Sequence, residues 1–109
     1  MKRGDVYWVN LEPTQGSEIK KVRPCVILSA TAINQVRKTV IVVPLSTAAK
    51  ARPPIAIPIT SLSKECVAVC DQIRTIDKSR IKNRETTLSI NDMKMLENGL
   101  LRVLGLEII

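Results

Sequence analysis

Apolar residues recur at helical spacing in only one part of this chain, and that part comes last. Ile90, Met93, Leu96, Leu100, Val103 and Leu104 follow one another at mostly three- and four-residue steps, which lines them up as a stripe along an α-helix. Ser89 stands before the stripe with Asp92 three residues later, a capping-box start, and Gly105 is a natural stop. Everything upstream is short, apolar and punctuated by turn residues. A chain with one amphipathic helix and many short strands has few ways to bury both. The expected class is mainly β: a small, curled, mostly antiparallel sheet or barrel with the C-terminal helix packed on it.

Taken in order, Asp5 to Leu11 alternates, with Tyr7, Val9 and Leu11 on one face and Val6 and Trp8 on the other. Glu12-Pro-Thr-Gln-Gly16 is turn chemistry, followed by a polar loop. Cys25 to Leu28 and Thr39 to Leu45 read as strands covered on both faces, with Pro44 interrupting the ladder. Between them, Ala30 to Lys38 reads as a loop with a short helical turn around Asn34. Ser46 to Pro54 is a basic loop; Ile55, Ile57 and Ile59 then alternate, and Pro58 demotes that strand to an edge or a bulge. Glu65 to Ile76 reads as one long, bent strand with Val67, Val69, Asp71 and Ile73 on one face, and Asp77 to Arg84 as a charged connection. Strands apolar on both faces exceed what one helix can cover, which argues for self-association. With 109 residues and no repeat or linker, residues 1–109 are expected to form one domain.

The formal charge is +7, and no acidic residue lies between Glu18 and Glu65. Lys20, Lys21, Arg23, Arg37, Lys38, Lys50, Arg52 and Lys64 all fall in that interval. An anionic partner is implied, with nucleic acid ahead of a membrane surface or a mere solubility role. No apolar run is long enough to span a bilayer, and Met1-Lys-Arg-Gly-Asp5 has no apolar region of the signal-peptide kind. A cytoplasmic protein is expected, with Cys25, Cys66 and Cys70 as free thiols.

Histidine is absent, as is any glycine-rich phosphate loop. Neither a metal site nor a cofactor is expected, since Cys66 and Cys70 have no second pair of ligands nearby. The candidates that remain are few. Arg23 stands where a flexible basic loop meets a strand, and Pro24 biases it towards extended backbone. It reads either as a solvated arginine or as a guanidinium held still for a phosphate. Ser46 and Thr47 are hydroxyls at a strand end, either turn formers or catalytic groups. Asp71 among valines must be paired, hydrogen-bonded or protonated, and one partner for it is Arg23. Arginine, hydroxyl and carboxylate without histidine suit stabilisation of a phosphodiester under attack by a neighbouring hydroxyl, which RNA carries and DNA lacks.

Five segments in order resemble the MazF/PemK toxins of bacterial toxin–antitoxin pairs. They are Arg3-Gly-Asp-Val-Tyr-Trp8, Pro13-Thr-Gln-Gly-Ser-Glu18, Arg23-Pro-Cys-Val-Ile27, Val42-Val-Pro-Leu-Ser-Thr47 and Cys70-Asp-Gln-Ile-Arg-Thr-Ile-Asp-Lys78. The resemblance implies an SH3-like β-barrel with a C-terminal helix, associated as a homodimer. It implies a metal-independent, sequence-specific endoribonuclease that cuts single-stranded RNA to leave a 2′,3′-cyclic phosphate and a 5′-hydroxyl, silenced by a cognate acidic antitoxin. It places catalysis on Arg23, on Ser46 or the adjacent Thr47, and on Asp71 as a catalytic or orienting carboxylate. RNA binding falls to Ser17, Glu18, Lys20, Lys21, Lys50, Arg52 and Gln72. Ile19 stands where many family members carry glutamine, so their cut sequence does not transfer. The same fold also serves toxins that bind DNA gyrase through a tryptophan close to the C-terminus, but this chain ends Leu-Gly-Leu-Glu-Ile-Ile109. A plain nucleic-acid-binding barrel is the other alternative, although only Tyr7 and Trp8 are available to stack on bases.

Overall fold

A computed structural model describes residues 1–18 and 21–106. Its elements are β1 (Asp5–Asn10), β2 (Val22–Ile27), α1 (Thr31–Val36), β3 (Thr39–Ser46), β4 (Ala56–Ile59), β5 (Cys66–Val69), β6 (Arg74–Asp77), β7 (Ile81–Thr87) and α2 (Ile90–Val103). All strand pairings are antiparallel, in the order β4-β5-β3-β2-β1-β7, with β6 also paired to β3. The expected mainly-β class with a C-terminal helix is what the chain adopts. The sheet curls without closing, because among the described residues β4 and β7 are its ends.

The curl follows from β3. Its first half, Thr39 to Val42, pairs with β6, and its last two residues, Leu45 and Ser46, pair with β5. Pro44 lies in the gap between these neighbours while keeping register with Cys25 of β2. The interruption expected there affects one edge only, since a missing N–H removes one ladder bond. On one face the sheet packs α2, with Val6, Val26, Val43, Leu45, Ile57, Leu96 and Leu100 in a common core. On the other, Val9, Leu11, Cys25, Ile27, Val40, Val42 and Ile76 form a second core, none more than 3% exposed. Strands β2 and β3 are therefore apolar on both faces because the sheet folds β6 and Ile81 of β7 over its own second face. Most of those faces are covered within the chain, while Val22 and Ile41 stay 44% and 40% exposed.

Three further expectations change. The strand read from Glu65 to Ile76 is two strands, broken by a 3₁₀ turn at Cys70–Gln72. The Cys70 N–H donates to the Ile55 carbonyl at 2.7 Å, and the turn shifts the alternation. Asp71 is consequently exposed and does not continue the face of Val67 and Val69. The charged connection read from Asp77 to Arg84 runs into a strand, β7, which begins within it at Ile81 and pairs with β1 through two register irregularities. It carries no apolar alternation because it is an edge, with Lys82, Asn83, Arg84 and Glu85 exposed. On the helical stripe, Ile90 is 79% and Leu104 49% exposed, so the buried part runs from Met93 to Val103.

Capping at the start of α2 differs from a reciprocal box. Ser89 Oγ accepts from the Asp92 N–H at 3.1 Å, as expected. The Asp92 carboxylate instead turns to the β4–β5 loop, where it accepts from the Thr60 and Ser61 N–H groups, each at 2.9 Å, and from both hydroxyls. Ser61 Oγ in turn accepts from the Ser89 N–H at 2.9 Å. The helix start and the β4–β5 loop are thus one hydrogen-bonded unit.

Candidate active site

The loop between β1 and β2 is tied at both ends before β2 begins. The Leu11 N–H donates to the Lys21 carbonyl at 3.0 Å, and the Lys21 N–H to Glu12 Oε1 at 3.1 Å. Lys21 adopts φ 68°, a left-handed turn that reverses the chain into β2. Arg23 follows on the strand, half-buried and in register with Val9. The junction of loop and rigid strand read from the sequence is therefore present.

Arg23 and Thr47 line one cleft of about 280 Å³, together with Trp8, Pro24, Leu45, Lys64 and Glu85. Ser46 does not line this cleft. Its Oγ accepts from the Ala48 N–H at 3.2 Å and the Ala49 N–H at 3.1 Å, which turns the chain off β3. Of the two adjacent residues, Ser46 holds the turn with its hydroxyl and Thr47 lines the arginine's cleft. Cys66 also touches that cleft.

Three hollows continue from it by shared walls. Thr47 and Lys50 line one with Thr60 and Glu65. Lys50 and Arg52 line the next with Asp71 and Gln72. Asp71 and Gln72 line the last with Glu18 and Arg74. The Gln72 amide donates to the Ser17 carbonyl at 3.4 Å, so the 3₁₀ turn braces the β1–β2 loop. Most of the anticipated binding residues, Glu18, Lys50, Arg52 and Gln72, thus fall along one run of depressions, and Ser17 is joined to it through Gln72. Lys21 sits at the end of the same loop, and Lys20 and Ile19 lie outside the described residues. Asp71 belongs to this run and does not line the cleft of Arg23.

The acid-free interval is not one patch. Arg37 and Lys38 precede β3 at the end opposite Ser46, roughly 25 Å away at strand rise. Lys38 lies near Asp77, whose carboxyl is held below its ordinary value by hydrogen bonds from Ser79 and, more weakly, by Arg80 and Lys38. Glu85 and Arg74 are lining residues that the sequence did not single out, and Lys64 and Trp8 stood there only as one cation among eight and as a possible stacking ring. Glu85 carried no signal because it follows directly on a charged connection without apolar alternation, and Trp8 little because two rings, Tyr7 and Trp8, are too few for a stacking platform.

All three cysteines are buried free thiols. Burial pushes Cys25 up to about 12, against a smaller opposing pull from Arg74. Burial pushes Cys70 up to about 11, with Asp71 adding to it. These are neutral packing groups at neutral pH. For Asp92, burial by itself would raise the carboxyl, but the hydrogen bonds from Ser61 and Thr60 outweigh it and hold the group below its ordinary value.

A family model described as PemK-like, MazF-like toxin of type II toxin–antitoxin system matches residues 2–104. The chain belongs to this family. It is 40% identical over 114 residues to the endoribonuclease MazF of Staphylococcus saprophyticus, covering 100% of this chain and 95% of that one. The solved MazF of Deinococcus radiodurans (Form-I) superposes with a TM-score of 0.87 at 25% identity, covering 97% of each chain. A mycobacterial endoribonuclease solved in complex with its cognate antitoxin shares the fold at TM-score 0.80 and 22% identity, covering 100% of this chain and 97% of that one. The chain is a MazF-type endoribonuclease toxin of a toxin–antitoxin system.

Proposed function

We propose that the chain cuts single-stranded RNA at short sequences by attack of a ribose 2′-oxygen on the adjacent phosphorus. The observation that carries this reading is the cleft shared by Arg23 and Thr47, walled by β2 and the end of β3. A guanidinium on a strand presents paired donors to two phosphate oxygens without reorganising as charge grows on them. The Thr47 hydroxyl adds a third donor, with Ser46 holding it in place through the turn. The O2′–phosphorus bond forms and the phosphorus–O5′ bond breaks. The proton leaves O2′ and one reaches O5′, so the products are a 2′,3′-cyclic phosphate and a 5′-hydroxyl. The displacement is intramolecular and consumes no water, metal or cofactor, and we take it to be metal-independent.

The flanking RNA follows the adjoining hollows. Lys50, Arg52, Lys20 and Lys21 meet phosphates, and Ser17, Glu18 and Gln72 meet bases, with Asp71 orienting its neighbours. An acidic antitoxin tail fits the same run of cations, in keeping with the mycobacterial relative solved with its antitoxin. We further propose a homodimer acting in the cytoplasm, where messenger RNA is found. The test is to incubate the purified protein with a long unstructured RNA in chelator and to map the new ends. Cyclic phosphate ends at recurring short sequences are expected. Arg23→Ala should keep its circular dichroism and lose cleavage by at least about a hundredfold. Normal cleavage by a folded Arg23→Ala protein rejects the site.

A further inference from the structure

We propose that Trp8 and Glu85 form a base-reading pocket that selects guanine beside the cleavage centre, an inference that rests on the RNA-cutting reading above. The indole Nε1–H of Trp8 donates to Glu85 Oε2 at 2.9 Å. The two residues come from paired strands, β1 and β7, and both line the cleft that holds Arg23 and Thr47. Neither has a part in the phosphate chemistry. The bond is exposed, so water competes for both partners, and stability alone does not account for a carboxylate and an aromatic ring meeting at this place.

Their combined chemistry is specific. Trp8 offers a flat apolar face, half-buried next to Pro24. The bond to Glu85 fixes the ring and sets an acceptor-only group at its rim. An ionised carboxylate has about four lone-pair sites, and the indole occupies one. A base that stacks on Trp8 and offers two adjacent donors is matched best. Guanine does so with N1–H and N2–H. Adenine and cytosine offer one amino group beside a ring nitrogen acceptor, and uracil offers one N–H between two carbonyls that the carboxylate repels. Lys64 in the same cleft supplies a cation for the phosphate of that nucleotide. The cleft, about 280 Å³, is at the small end of ligand sites and admits one base.

Trp8 is the chain's one tryptophan, so its fluorescence reports this pocket alone. Tetranucleotides methylated at O2′ are not cut, and a set with guanine, adenine, cytosine or uracil at one position can be titrated against that signal. Guanine should quench at concentrations roughly ten- to a hundredfold lower than uracil. Glu85→Ala should level the four bases while RNA cutting continues with relaxed preference at one mapped position. Glu85→Gln keeps an acceptor for the indole but adds a donor, and it too should lose guanine preference. That outcome separates base reading from mere support of the ring. Equal quenching by all four bases in a protein that cuts RNA, or unchanged guanine preference in Glu85→Ala, overturns the pocket and leaves the ribonuclease reading standing. Guanine preference at Trp8 in a protein that cuts no RNA supports the pocket and defeats that reading.

Discussion

Replacing Asp92 by alanine should loosen the wall of the candidate active site from the far side. Asp92 is 1% exposed and its carboxylate accepts from two backbone N–H groups and two hydroxyls of Thr60 and Ser61. Hydrogen bonds to a charged acceptor are each worth about 1.5–3 kcal/mol, so the four would nominally sum to at least about 6 kcal/mol. Thr60 is exposed and Ser61 half-buried, so water can replace part of what is lost, and a net loss of about 3–4 kcal/mol is expected. Against a domain stability of about 5–15 kcal/mol this is large. It should lower the urea midpoint by roughly 1–3 M at pH 7. The pH dependence has a definite sign. Because the folded carboxyl lies below its ordinary value, its contribution is complete above the unfolded pKa of about 3.9. That contribution is lost as pH falls through the folded value, so wild type and Asp92→Ala should converge in acid. The same loop supplies Leu62, Ser63 and Lys64 to the cleft, and RNA cutting should fall along with stability. Urea melts followed by circular dichroism at several pH values decide the matter. A midpoint shift equivalent to under about 1 kcal/mol at pH 7, or a difference that persists undiminished in strong acid, refutes the argument.

The adjacent hydroxyls should separate cleanly. Thr47→Ala should lose cutting by about a hundredfold or more with an unchanged melting midpoint, while Ser46→Ala should cost about 1 kcal/mol of stability and less activity; the reverse pattern in paired melts and cutting assays would reassign the roles. Gly99→Ala should destabilise by about 1–2 kcal/mol despite its better helix propensity, because the added Cβ would lie 2.8 Å from Ile57 Cγ1 and 3.2 Å from the Pro54 carbonyl; a denaturant midpoint at or above wild type contradicts this. The thiols of Cys25 and Cys70, pushed to about 12 and 11 by burial, should resist a thiol reagent at pH 8 in the folded protein and react at once in denaturant. Rapid labelling of either in the native state would contradict that burial.

Local chemistry was enough for several elements. The stripe from Met93 to Val103, the Ser89 cap and the Gly105 stop are properties of neighbouring residues, and α2 lies where they put it. Pro58 demoted its strand to an edge, and β4 is an end of the sheet. Arg23 at the junction of loop and strand, and the cations of the β3–β4 loop, were legible for the same reason. Long-range pairing decided the rest. Nothing near Asp71 in sequence shows that the Cys70 N–H will be taken by Ile55, the bond that goes with the 3₁₀ turn exposing the carboxylate. Nothing near Ile81 shows that a polar segment will pair with β1, bring Glu85 to Trp8 and close the second core over β2 and β3. Residue type and spacing report forces that act within a turn or two of the chain. Which strand covers which face, and which of the two hydroxyl residues lines the arginine's cleft, depend on contacts between residues far apart in sequence, and those exist only once the sheet has curled.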